Sequence, residues 1–249
     1  MLPTGGSVEN VKRLAAGTAD VAFSQVDVAK EFVATHPQAL RALARVYDEF
    51  VHIVVPSSSP VATPAQLRGA RVSIGARDSG VAFTVRRLLT AIGLSPDKDL
   101  RAAYLSVDAS TTALQRGEID AFFWIGALPT PSVTALASPS FPIRLLDLEG
   151  VASQVRATYK EYAEGTVPAG TYSLTAPVTT LLVRNFLLVG TGMPDDLAYS
   201  LVDGIFRYQP QLARASEAAL TIDLRAAIGT QPVPLHPGAE RYFRAAKNT

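Results

Sequence analysis

The feature that most constrains what this chain can fold into is a short pattern that occurs twice, 100 residues apart. Leu14-x-x-Gly17-x-x-Asp20-Val21-Ala22-Phe23 returns as Leu114-x-x-Gly117-x-x-Asp120-Ala121-Phe122-Phe123. Each copy follows a short helical stretch. Each reads as a helix stopped by a glycine free to take positive φ, then a buried strand entered at an aspartate. Two copies of one such unit predict two similar α/β lobes, and a cleft between lobes is where a small ligand is expected. With 249 residues and 48% of them apolar, the chain can bury a core in each.

The rest of the chain fits that frame. Ser7 is the expected N-cap of a helix carrying Val8, Val11, Leu14 and Ala15, with Gly17 as its stop. Asp20 to Val28 reads as a buried strand and the turn after it. A helical stretch with Leu40, Leu43 and Val46 should lead to the β-branched strand Phe50 to Val55, closed by Pro56-Ser57-Ser58-Ser59-Pro60 as a first crossover. A helix start at Thr63-Pro64 follows, then a strand at Arg71 to Gly75, a glycine loop and an amphipathic helix from Val81 to Ile92. Tyr104-Leu105-Ser106, Phe122 to Gly126 and Pro142 to Leu146 continue the strands. This alternation argues for parallel βαβ units with functional loops at the carboxyl ends of the strands. Val178 to Val189 reads as the return crossover strand, and the remainder as helices over Pro194 to Tyr208, over Gln211 to Leu220, and from Pro237. Residues 1–56 and 184–249 are thus assigned to lobe one and 57–183 to lobe two.

Several function classes are excluded or disfavoured. The net charge of +1 and the scattering of basic residues give no polyanion-binding face, so nucleic acid is not an expected partner. The chain has no cysteine and three histidines, His36, His52 and His236, without ligand-type spacing, so no metal site is expected. No nucleophile elbow, Walker loop or dinucleotide fingerprint occurs, so neither an enzyme nor a cofactor is expected. The apolar run before Val189 is broken by Arg184 and Asn185, and no membrane span is expected. Met1-Leu2-Pro3 runs into a glycine turn without the features of a signal peptide.

Two loops suit an anion. Thr4-Gly5-Gly6-Ser7 and Asp78-Ser79-Gly80 each stand at a helix start, where free N–H groups and the helix dipole favour negative charge. The alternative is that they are ordinary caps and turns. Gln25 follows the first repeat's strand and is the expected ligand hydrogen-bonder there, with Asp27 favoured as a helix cap. Trp124 holds the equivalent place in lobe two, as a site wall or as core. Gly126 would let a ligand approach the backbone. Arg77 is a candidate for a bidentate carboxylate contact or a solvated surface residue.

These residues together resemble the TAXI family of solute-binding proteins, the extracytoplasmic receptors of one branch of TRAP transporters. The likeness rests on Thr4-Gly5-Gly6-Ser7-Val8-Glu9-Asn10, Gln25-x-Asp27, Ser73-x-Gly75-Ala76-x-x-Ser79-Gly80 and Pro234-Leu235-His236-Pro237-Gly238-Ala239-Glu240-Arg241-Tyr242. It implies a periplasmic binding protein type II-like fold, two doubly wound α/β lobes joined by two crossover strands, closing on a small carboxylate such as glutamate, glutamine or a related acid. It also implies TRAP membrane permease subunits as partners and a periplasmic or extracytoplasmic location. By position, Thr4, Gly6, Ser7, Asn10 and Gln25 would line lobe one, and Ser79, Gly80, Trp124 and Gly126 lobe two. Tyr172, in Val167-Pro168-Ala169-Gly170-Thr171-Tyr172, is similar to the family's loop tyrosine.

Relatives of that kind carry a signal peptide, a first strand and a first helix before the segment with which this sequence starts. The expectation is therefore a fragment or truncated frame whose first lobe lacks its initial strand and helix. Arg77 and Asp78 depart from the small or neutral residues usual there. The alternatives are a biosynthetic enzyme or a cytosolic metabolite sensor on the same scaffold.

Overall fold

The computed structural model describes residues 2–247; Met1, Asn248 and Thr249, the ends of the expected first lobe, lie outside the described residues. Its elements run α1 (Ser7–Ala15), β1 (Val21–Gln25), α2 (Val26–Thr35), β2 (Leu40–Pro56), a 3₁₀ turn (Pro64–Leu67), β3 (Arg71–Ser73), α3 (Gly80–Ala91), α4 (Pro96–Asp99) and β4 (Arg101–Ala103). There follow α5 (Val107–Gln115), β5 (Ala121–Gly126), α6 (Pro131–Leu136), β6 (Ile143–Leu145), α7 (Glu149–Thr158), β7 (Ala163–Val167), a 3₁₀ turn (Thr171–Ser173) and β8 (Val178–Gly190). The chain ends in α8 (Asp195–Arg207), α9 (Gln209–Ala215), a 3₁₀ turn (Glu217–Thr221), α10 (Leu224–Ala227) and α11 (Pro237–Ala246).

The helix ends of the two copies fold alike, whereas the strands differ: β5 is buried as expected, and β1 leaves Phe23 exposed. Gly17 and Gly117 take φ of 65° and 68° just after α1 and α5. In each, the glycine N–H bonds back three residues, Gly17 to Leu14 and Gly117 to Leu114, while the next N–H bonds back five, Thr18 to Arg13 and Glu118 to Ala113. That is the Schellman closure, which satisfies carbonyls the helix would otherwise orphan. At the strand entry of the second copy, Asp120 bridges two strands. Its Oδ2 accepts the Arg71 backbone N–H at 2.8 Å and its Oδ1 the Arg71 guanidinium at 2.5 Å, tying the start of β5 to β3.

Two compact units divide the chain: Met1–Asp48 with Arg184–Thr249, and Glu49–Val183. The divisions fall inside β2 and β8; the expected first boundary, at Pro56, lies further along β2. In the first unit β1 pairs antiparallel with β8, from Val21 opposite Val189 to Gln25 opposite Asn185. Leu43, Val46, Val189, Val202 and Phe243 are among its core residues, and α11 packs on α8. His236 is buried and caps α11: its Nδ1 accepts the Gly238 N–H while Nε2 donates to Met193 O. The Pro234 to Tyr242 motif therefore has a structural use.

In the second unit β5 lies between β2 and β3, parallel to β3 and antiparallel to β2, and β4 extends the sheet parallel to β3. The β6 strand pairs antiparallel with β2, and β7 antiparallel with β8. Phe122, Val133, Leu145 and Tyr172 are among this unit's core residues. The architecture is α/β with a mixed sheet, as expected of a type II-like binding-protein fold. The parallel βαβ reading holds for β3, β4 and β5, while β2 pairs antiparallel with β5 and β6, and β7 antiparallel with β8.

Four local expectations are also corrected. The stretch with Leu40, Leu43 and Val46 is the first part of β2, not a helix. Ser7 is the first helical residue, and Gly6 is the N-cap. The Tyr104–Ser106 strand sits slightly earlier, at Arg101–Ala103. Asp27 lies inside the first turn of α2, whose N-cap is Gln25.

Candidate functional site

In the first unit, α1 starts where the chain demands glycine. Gly6 has φ 128° and ψ −155°, a region closed to side chains by their Cβ. Just before it, the Gly5 N–H donates to Glu9 Oε2 at 2.7 Å, and Glu9 Oε1 accepts from Arg13 at 2.8 Å. Ser7 Oγ accepts the Gln25 backbone N–H at 3.1 Å, so the first turn of α1 sits against the N-cap of α2. Asn10 holds the same edge of β1, its Nδ2 donating to Phe23 O at 2.8 Å while its Oδ1 accepts from Thr4 Oγ at 2.7 Å. The structure thus brings Thr4, Gly6, Ser7, Asn10 and Gln25 together. Two helix N-termini converge there, each with an acidic side chain in its first turn: Glu9 in α1, and in α2 the fully buried Asp27, whose Oδ1 accepts the Val28 N–H at 2.9 Å. Gln25 is 3% exposed.

Asn185 stands beside this cluster, although nothing in the sequence marks it beyond its place in an apolar run. It stands directly opposite Gln25 on β8 and is 3% exposed. Its Oδ1 has no hydrogen-bond partner among the described residues. A cavity of ≈ 580 Å³ opens at the other end of β1, lined by residues that include Leu14, Gly17, Asp20, Gln38, Gly190 and Met193; none of the expected ligand residues lines it.

In the second unit the glycine loop after β3 enters α3. Ser79 is its N-cap: Oγ accepts the Ala82 N–H at 3.0 Å and donates to Ala76 O at 2.6 Å. Gly80 is the buried first residue of the helix. Gly75 makes the turn with φ 93°, and a Cβ there would fall 2.6 Å from Val81 Cβ, so the loop closes on its helix only with glycine. Arg77 is exposed and lies over the Tyr104 ring, 4.2 Å from its centre. Both the hydroxyl of Ser79 and the guanidinium face of Arg77 are thus engaged within the unit.

The remaining candidates join one chain of hydrogen bonds, part-buried at Trp124 and buried at Tyr172. Trp124 Nε1 donates to Thr130 Oγ1 at 2.8 Å, which donates to Ala127 O at 2.9 Å. The Thr130 backbone N–H donates to the Tyr172 hydroxyl at 2.8 Å, and that hydroxyl lies 3.1 Å from His52 Nε2. His52 Nδ1 lies 2.7 Å from Phe50 O. A carbonyl can only accept, so Nδ1 carries the ring proton and Nε2 accepts the Tyr172 proton. Burial lowers the His52 pKa to about 4, against the smaller opposing pull of the Phe50 and Trp124 backbone, which keeps the ring neutral in its acceptor form. The Tyr172 phenol is pushed up, first by burial.

This network fixes an unusual turn. Tyr172 and Ser173 have φ of 52° and 62°, left-handed values that cost non-glycine residues about 1–3 kcal/mol each. Gly126 has a role different from the expected one. A Cβ on it would lie 2.6 Å from Trp124 Nε1, so the space it leaves is taken by the indole. His52 is the residue that sequence reasoning passed over. It pairs with Trp124 in register but meets Tyr172 120 residues away.

Among the described residues no group of three or more His, Cys, Asp or Glu could hold a metal, and no helix is long and apolar enough to cross a membrane.

The model of the NMT1-like family matches residues 2–246 of this chain. The periplasmic aliphatic sulphonate binding protein SsuA from Escherichia coli is similar at 17% identity and a TM-score of 0.53, over 97% of this chain and 70% of its own. The alkanesulfonate-binding protein SsuA from Xanthomonas axonopodis pv. citri, bound to MOPS, is similar at 20% identity and TM-score 0.51, over 98% and 72%. A protein from Bordetella bronchiseptica RB50 reaches TM-score 0.55 at 18% identity, over 97% and 77%. At these identities the likeness is one of fold.

Proposed function

As the chain belongs to the NMT1-like family, we propose that it is an extracytoplasmic solute receptor that hands a small acid to a membrane transporter. The finer reading is the TAXI branch of TRAP receptors, with TRAP permease subunits as partners and a carboxylate or amino acid, of the glutamate or glutamine kind, as solute. No catalytic role is assigned to any residue.

The observation that carries this reading is the convergence of α1 and α2 on Ser7 and Gln25. The start of α1 and a buried amide in one place suit the oxygens of an acid, while at the start of α2 the Asp27 carboxylate takes the Val28 N–H. The second unit supports it through the Ser79-capped start of α3. Proteins of similar fold described as binding sulphonates lend support of the same kind, since a sulphonate is also an oxyanion.

The test is native mass spectrometry of the protein purified without added ligand, followed by titration with a panel of amino, keto and dicarboxylic acids. One small acid retained per chain is the expected result. Gln25→Ala is expected to weaken that binding about tenfold or more without unfolding the chain, as loss of one buried hydrogen bond to a charged group would. A folded protein that takes up nothing from the panel refutes the acid-receptor reading, and unchanged affinity in the variant removes Gln25 from the site.

A further inference from the structure

The two copies of the repeat differ in what stands against their entry aspartates. In the second copy it is an arginine. The Arg71 guanidinium donates to Asp120 Oδ1 at 2.5 Å, to Asp120 Oδ2 at 3.2 Å and to Gly117 O at 2.8 Å, and the Arg71 backbone N–H donates to the same Oδ2 at 2.8 Å. The carboxylate and the carbonyl of the C′ glycine thus hold one guanidinium together, with the bidentate geometry that its planar fork favours. In the first copy Gly17 has nearly the same φ as Gly117, 65° against 68°, and Asp20 follows it at the same spacing. Yet neither the Asp20 carboxylate nor Gly17 O has a hydrogen-bond or ion-pair partner among the described residues. Both residues line the ≈ 580 Å³ cavity at the start of β1. Its walls also include Leu14, Met193 and Leu197, which offer apolar surface to the methylenes of a long side chain. The neighbouring arginines are engaged elsewhere: Arg13 pairs with Glu9, and Arg41 donates to Gln38 Oε1 and to the carbonyls of Pro37 and Leu40.

We propose that this cavity receives an arginine residue from an extended segment of a protein partner, its guanidinium set on Asp20 and Gly17 O as that of Arg71 is set on Asp120 and Gly117 O. The second copy supplies the template for the occupant. Asp120 accepts the backbone N–H of Arg71 as well as its guanidinium, so the fit calls for an arginine within a peptide. Lysine fits less well, because a compact ammonium has no planar fork to bridge carboxylate and carbonyl. Asp20 is exposed, so the contact forms in competition with water and weakens with salt. The cavity lies at the opposite end of β1 from the acid cluster, and the proposal is independent of the receptor reading.

The test is an NMR titration of the isotope-labelled protein with acetyl-Ala-Arg-Val-Ser-amide, which carries the sequence of residues 70–73, and with the same peptide bearing citrulline in place of arginine. The arginine peptide is expected to shift the amides of Gly17, Asp20 and Gly192 saturably, with half-saturation at about millimolar concentration, and the citrulline peptide to bind about tenfold or more weaker. Asp20→Asn should weaken the arginine peptide by a similar factor. Its melting temperature should match the wild type, because the carboxylate has no partner inside the protein. A peptide that leaves these amides unshifted, or that binds equally with arginine and citrulline, overturns the proposal. Unchanged affinity in Asp20→Asn does the same. A variant that melts lower or does not fold also overturns it, since Asp20 then has a partner within the chain. N-ethylguanidinium that binds as tightly as the peptide overturns the peptide as occupant and gives the cavity to a free guanidino compound.

Discussion

The acid sensitivity of the second unit should be governed by one buried histidine. His52 is fully buried, and its pKa in the folded chain is about 4 against an ordinary 6.5. Between those values the unfolded chain holds a proton on this ring that the folded chain does not. Stability therefore rises with pH through that window and falls as the solution is acidified. The contribution is fully present above the unfolded pKa of 6.5 and exhausted below the folded pKa of about 4. At about 1.4 kcal/mol per pH unit, integration from pH 7 to pH 5 gives a loss of about 2 kcal/mol from this ring alone. The lowered carboxylates, Asp97 and Asp120, start from an ordinary 3.8 and titrate below that interval. Urea unfolding at pH 7 and pH 5 measures the loss, and the same pair of measurements on His52→Gln isolates it. The amide does not titrate, so the variant should lose about 2 kcal/mol less than the wild type over the same interval, whatever its own starting stability. Equal losses in the two proteins would refute the buried, neutral His52 and with it the direction of the Tyr172 hydrogen bond.

The two repeat glycines and the glycine beside the indole give further checks. Gly17→Ala and Gly117→Ala meet open space but keep φ of 65° and 68°, so each should destabilise by about 1–2 kcal/mol in chemical denaturation. An alanine that stabilises at either position would sink the Schellman reading there. Gly126→Ala places a methyl 2.6 Å from Trp124 Nε1 and must displace the ring from Thr130. Because Trp124 is the only tryptophan, its emission should shift, with a stability loss of about 1–3 kcal/mol; an unchanged spectrum would mean that the indole is not packed against Gly126.

The repeat was legible because its information is local. A helix, a C′ glycine and an aspartate at a strand entry lie within ten residues, and both copies fold by the same two backbone bonds. The start of β2 was not legible for the opposite reason. Leu40, Ala42, Ala44 and Val46 are buried on one face and Arg41 and Arg45 half-buried on the other, but Leu43 is buried between the arginines and two of the four alternating positions are alanine, so the period of two is blurred. Leu40, Leu43 and Val46 then fall by chance at helical spacing. The α7 helix was missed because only Ala152 and Val155 of its residues are buried, which leaves too thin a stripe to read. His52 shows a further limit. Its meaning depends on Tyr172 and Thr130, and nothing in the strand sequence around it carries that pairing.

The polar residues picked out by sequence divide according to what already occupies them. Ser7, Asn10, Ser79 and the indole N–H of Trp124 each have a hydrogen-bond partner inside their own unit. Residue type and loop position could not separate a hydroxyl that caps a helix from one that waits for a solute, because the same chemistry serves both. Asn185 Oδ1 is buried at a cost of about 1–3 kcal/mol, a sizeable part of the 5–15 kcal/mol by which domains are usually stable.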